Sequence, residues 1–188
     1  MTAIVALFDR CRTFLAADRM ALIPDGPTSF IVCRDTDKVV TIGDWTVAAS
    51  GTAGVLEVLR NDAALAASGT AHIFFDRVKA VFGEIGLRAH RSDDDDREGG
   101  LVGYPCEFIL CRAGECWFTG PGLLPLRAQV GRPIAIGSGC ITAAAAAWAV
   151  LKFGADPARA VAGGIAAASE YLTGIGSEAT VCVVGSAP

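Results

Sequence analysis

Thr2 stands directly behind the initiator methionine. Methionine removal tolerates small second residues, so loss of Met1 would leave a hydroxyl and a free α-amine on one residue. An α-amine titrates ordinarily at about 7.7 to 8.0, so a useful fraction is neutral near pH 7, within reach of its own side-chain oxygen. Nucleophile and general base can then share a residue. With Met1 attached, the nitrogen is an amide and the base is lost. Other chemistries find less support. The seven cysteines (11, 33, 106, 111, 116, 140 and 182) and two histidines (72 and 90) include no Cys-x-x-Cys pair, which gives a structural zinc little to bind. No phosphate-cradling G-x-x-x-x-G-K-[ST] loop occurs. The four aspartates at 93 to 96 read as a solvated loop, with a hard cation such as magnesium as the other reading.

The elements that must position Thr2 follow from apolar patterning. AIVALF and TFLAA, split by the polar DRCR, form a hairpin turning near Arg10. In MALIPDGPTSF, Pro24-Asp25-Gly26-Pro27 marks a loop. KVVTI and WTVAA are β-rich and joined by Gly43-Asp44, a second hairpin. TAGVLEVLRNDAALA has a helical period through Val55, Leu56, Val58, Leu59 and Ala63; a further helix places Ile73, Phe74, Val78, Val81 and Phe82 on one side. CEFILC and CWFTG make another hairpin, in which Cys111 and Cys116 could face each other, and RPIAIGSG is a buried strand entering a glycine turn. CITAAAAAWAVLKFGA is a helix whose alanines permit close approach of another layer. Asp156 caps a second helix with Pro157 at its first position, and TVCVV closes the chain as a strand. Strands and helices in separate blocks indicate an α+β layered fold.

Four stretches, Thr2, LAADR around Asp18, DKVVTIGD around Lys38 and IGSG around Ser138, occur in the order and at roughly the separations found in proteasome β subunits and the heat-shock locus V peptidase. The sequence resembles that family over nearly its whole length, including ASGTAG before the first helices and the alanine-rich helix after IGSG. The resemblance implies an N-terminal nucleophile hydrolase: a four-layer αββα sandwich of two antiparallel sheets between helical layers. It implies that Thr2 attacks a peptide carbonyl and that Lys38 stabilises the alkoxide and disfavours amine protonation. Asp18 would anchor Lys38, the Gly51 N–H would form the oxyanion hole, and Ser138 would bond near the Thr2 amine. Each residue also has an ordinary reading: Lys38 as a strand-edge lysine facing water, Asp18 as a turn residue, Gly51 as a strand-to-helix junction, and Ser138 as a helix N-cap. Glu170 and Thr173 stand where the family usually has aspartate and serine, while Ala17 replaces a common glycine and Arg19 a small residue. The resemblance also implies that Met20, Ala49 and Ala53 fall near positions lining the family's first specificity pocket, which would then be largely apolar.

At 188 residues the chain is expected to form one domain, residues 1–188, burying roughly 70% of its unfolded surface. With 52% hydrophobic and 19% charged residues, some surface is expected to be buried between subunits. The formal charge of −4 with dispersed basic residues gives no footprint for nucleic acid. No charge-free apolar run is long enough for a membrane helix, and Asp9 and Arg10 fall where a signal peptide needs its apolar segment, so a cytoplasmic protein with reduced thiols in its core is expected. The expectation is a threonine peptidase without a cofactor, assembled with identical subunits into rings, acting on unfolded polypeptide and served by a separate ATP-driven unfoldase. The alternatives are a catalytically silent structural subunit that retains Met1, and an amidase using the same nucleophile.

Overall fold

The computed structural model describes residues 2–24, 30–33, 36–52, 54–87, 90–91, 102–120 and 122–185. In chain order the elements are β1 (Ile4–Phe8), β2 (Thr13–Asp18), β3 (Ala21–Pro24), β4 (Phe30–Cys33), β5 (Val39–Ile42), β6 (Trp45–Gly51), α1 (Val55–Arg60), α2 (Ala63–Ala66), α3 (Ala71–Glu84), β7 (His90–Arg91), β8 (Val102–Gly103), β9 (Cys106–Arg112), β10 (Glu115–Phe118), β11 (Leu126–Arg127), β12 (Pro133–Ile136), α4 (Cys140–Lys152), α5 (Pro157–Tyr171) and β13 (Ala179–Val184).

Successive side chains of a strand point to opposite faces, and in β1 and β2 both sets are apolar. Val5, Leu7, Phe14 and Ala16 pack against Ala143, Ala147, Val161 and Ile165 of α4 and α5. Ile4, Ala6, Leu15 and Ala17 pack against Ala48, Ile109 and Cys111 of a second sheet. The far side of that second sheet, through Val47, Phe108 and Leu110, covers Phe74, Phe75, Val78 and Phe82 of α3. The result is four layers: α4 and α5, the sheet β12-β1-β2-β13, the sheet β11-β10-β9-β6-β5, and α1 to α3. Both sheets are antiparallel throughout, as the sandwich expectation required.

Local signals account for several element ends. Arg10 takes φ +77° in the β1–β2 turn, where the Asp9 carboxylate accepts the Arg12 N–H at 2.8 Å. Asp156 accepts the Arg159 N–H at 3.0 Å and starts α5 with Pro157 in the first turn. The alanines of α4 do admit a close neighbour: a Cβ built on Gly164 of α5 would lie 2.5 Å from the Ala143 carbonyl oxygen. Cys111 and Cys116 are cross-strand partners with Sγ atoms 3.6 Å apart, both buried and free.

Three local expectations need correction. The periodic stretch after Gly54 is two helices, because Asp62 accepts the Leu65 N–H at 2.9 Å, caps α2 and pairs with Arg77 at 2.6 Å. Val58 is then exposed and Leu65 buried in place of Ala63. On α3, Ile73 is 56% exposed and Phe75 is buried instead, because positions 71, 74, 75, 78 and 82 make one stripe at 100° per residue. Finally, Pro24, expected in the loop, ends β3, which pairs with β4 from Ala21 and Cys33 to Pro24 and Phe30. Their connection, Ala53 and the run of aspartates at 93 to 96 lie outside the described residues.

Candidate active site

Thr2 precedes β1, whose pairing of Ile4 with Ile136 brings the turn after β12 alongside it. The Thr2 backbone nitrogen donates to Ser138 Oγ at 3.1 Å, and the Ser138 hydroxyl is 3.3 Å from the Thr2 carbonyl oxygen as donor. The Gly139 N–H donates to the same carbonyl at 3.1 Å. Gly137 makes this approach possible, because it takes φ +88° and a Cβ there would lie 2.4 Å from the Thr2 carbonyl oxygen. Gly139, not Ser138, occupies the N-cap of α4, so the serine side chain is committed to Thr2.

Asp18 is fully buried at the end of β2. Its Oδ1 accepts the Ala3 N–H and the Lys38 ammonium, each at 2.8 Å; its Oδ2 accepts the Met20 and Gly176 N–H groups, each at 3.3 Å. One carboxylate therefore ties together the start of β1, the end of β2, Lys38 and the segment after α5. Lys38 is only 8% exposed and donates also to the Met20 carbonyl, so it does not face water. Burial lowers its pKa below the ordinary lysine value, and the Asp18 hydrogen bond and charge pull it part of the way back.

Gly51 ends β6 at φ +111°, where a Cβ would clash with the Pro105 carbonyl oxygen. Gly51 and Ser138 share with Thr2 an open cavity of about 380 Å³. Cys106 also lines it, with its thiol pushed up by burial. Glu170 and Thr173 are exposed, and among the described residues neither hydrogen-bonds to Thr2, Asp18 or Lys38. The segment after α5 reaches Asp18 through the Gly176 backbone instead. Of the expected pocket residues, Met20 contributes backbone groups to Asp18 and Lys38, and Ala49 is buried under the α1 to α3 layer.

One residue at the site went unread in the sequence. Glu107 on β9 pairs across the sheet with Ser50 and lines the cavity. Its Oε2 accepts the Gly137 N–H at 2.8 Å and the Ser50 hydroxyl at 3.2 Å. The available signal was a lone glutamate in the otherwise apolar strand CEFILC. Among the described residues, no group of three His, Cys, Asp or Glu side chains is placed to hold a metal.

Comparison with solved structures yields matches over the entire chain. Thiobacillus denitrificans BPH, solved alone and in complex with epoxomicin, superposes with a TM-score of 0.75 at 18% and 16% identity, covering 100% of both chains. Eukaryotic HslV from Trypanosoma brucei superposes with a TM-score of 0.66 at 19% identity, covering 98% of this chain and 100% of that one. The fold is proteasome-like. No family model and no curated protein matches the sequence. In this proteasome-like fold, Thr2 precedes β1, Asp18 ends β2, Lys38 precedes β5, Gly51 ends β6 and Ser138 follows β12.

Proposed function

We propose that the protein is a threonine peptidase whose nucleophile is Thr2, exposed by removal of Met1. The observation that carries this reading is the Thr2 backbone nitrogen held 3.1 Å from Ser138 Oγ, with the adjacent Ala3 N–H on the Asp18–Lys38 pair. In the reaction, the freed Thr2 amine takes the hydroxyl proton, directly or through a water, as Oγ attacks the carbonyl carbon of a peptide. The Gly51 N–H donates a hydrogen bond to the developing oxyanion. Lys38 disfavours protonation of the amine by like charge and stabilises the alkoxide, and Asp18 fixes Lys38 in place. The protonated amine then gives its proton to the leaving nitrogen; water attacks the acyl ester and restores Thr2.

The likeness to an HslV structure supports assembly of identical subunits into rings; unfolded polypeptide as substrate and a separate ATP-driven unfoldase as partner extend the proposal. The apolar side chains left exposed on the α4 and α5 layer, Ile141, Phe153 and Tyr171, suit burial between subunits. A second reading, a silent structural subunit that retains Met1, draws on the positions of Glu170 and Thr173 away from the Thr2 group.

Intact mass and peptide hydrolysis decide between them. The peptidase reading expects a species lacking one methionine, cleavage of an unfolded protein, a covalent adduct with epoxomicin, and loss of cleavage and adduct in Thr2→Ala with assembly unchanged. A mature species that retains Met1 and cleaves nothing would sink it.

A further inference from the structure

The cavity beside Thr2 has one charged side chain in its wall among the described residues, and that is Glu107. Thr2, Gly51 and Ser138 line the same cavity, so a chain whose carbonyl meets the Thr2 hydroxyl enters the space that this carboxylate borders. Glu107 is half-buried, which weakens screening by water while leaving it open to a ligand. Its orientation is fixed from two elements: β6 supplies the Ser50 hydroxyl and the turn after β12 supplies the Gly137 N–H, both to Oε2. The other oxygen, Oε1, has no hydrogen-bond partner among the described residues. A half-committed, immobilised carboxylate in the wall of a cleft is a preorganised acceptor for a cation.

We propose that Glu107 is a specificity-determining residue: the cavity beside Thr2 takes a cationic side chain, lysine or arginine, next to the scissile bond of the substrate. The ammonium or guanidinium group donates to Oε1 while Oε2 keeps its bonds to Gly137 and Ser50. The tyrosine at 104, in the same wall, flanks the aliphatic stem of such a side chain. This assignment rests on the peptidase reading for the words "scissile bond" alone; the pocket and its charge stand without it.

The test separates the two. Short peptides carrying a single lysine or the uncharged norleucine at each position in turn are titrated against the full-length Thr2→Ala protein, which cannot turn them over. A lysine peptide binds roughly ten- to a hundredfold tighter than its norleucine counterpart, the range expected for a hydrogen bond to a charged group. The advantage shrinks with added salt and vanishes in Thr2→Ala/Glu107→Gln, whose amide oxygen still accepts from Gly137 and Ser50 and so preserves the turn. Glu107→Asp, which keeps the charge but withdraws it by one methylene, retains part of the advantage. Equal affinities of the two peptides, including no measurable binding of either, overturn the proposal, and so does a lysine preference that survives Glu107→Gln. Cleavage is read separately on the unaltered protein. Lysine-selective binding without cleavage leaves the pocket assigned and removes the peptidase reading, whereas cleavage without lysine preference does the reverse.

Discussion

Replacing Asp18 by alanine should damage this protein more than replacing Lys38, although both changes break the same ion pair. Asp18 is fully buried and receives four donors, the Lys38 ammonium and the N–H groups of Ala3, Met20 and Gly176. Removing one partner of a buried pair costs about 3–5 kcal/mol. Backbone donors left without an acceptor add about 1–3 kcal/mol each where water cannot replace it, although such costs within one network do not sum fully. Asp18→Ala should therefore lower stability by at least about 4 kcal/mol. For a chain of this size, where 1 kcal/mol moves the thermal midpoint by about 2–4 °C, that is a fall of roughly 8–16 °C. Lys38→Met breaks the pair from the other side but leaves Asp18 with three backbone donors, so its cost should be nearer 1–3 kcal/mol. Urea titrations of both variants and the double variant at one fixed protein concentration measure the difference, since any assembly makes stability concentration-dependent. An Asp18→Ala loss under about 1 kcal/mol, or a Lys38→Met loss larger than that of Asp18→Ala, would refute the view that this carboxylate ties the site together.

Two further predictions follow from the same geometry. Because the pKa of Lys38 is lowered in the fold from 10.5, the unfolded chain holds the extra proton between those values, and the Lys38 contribution should make the protein more stable as pH rises through that window. Cys106, Cys111 and Cys182 act the opposite way, since their thiols are raised above 9.0 and the unfolded chain loses those protons first. The stability of the wild type minus that of Lys38→Met isolates the lysine; a difference that stays flat towards pH 10.5 contradicts its burial. Gly137→Ala should cost about 1–2 kcal/mol for its left-handed backbone alone, and more because the new Cβ displaces the Thr2 carbonyl 2.4 Å away. A thermal melt and a peptide-cleavage assay should both show the loss, and a variant with unchanged melting and turnover would mean that the turn does not press on Thr2.

Patterning alone was enough to read the β1–β2, β5–β6 and β9–β10 hairpins, the start of α5 at Asp156 and Pro157, and the layered α+β class, because alternation and caps act between residues near in sequence. Thr2 was marked by its own chemistry, whereas Asp18, Lys38, Gly51 and Ser138 became candidates only through the resemblance in the order and separation of their motifs. Their meeting belongs to the tertiary structure. β12 lies beside β1, which puts Ser138 against a backbone nitrogen 136 residues earlier, and β13 lies beside β2, which brings Gly176 to Asp18. Burial of Lys38 likewise required an apolar surround and a carboxylate 20 positions away, without which it would read as an edge lysine in water. Glu107 shows the limit most clearly. A lone glutamate in the apolar strand CEFILC is a local signal of oddity but says nothing of where the carboxylate goes; only the pairing of β9 with β6 and the approach of the turn after β12 give it the Ser50 and Gly137 donors at the Thr2 cavity.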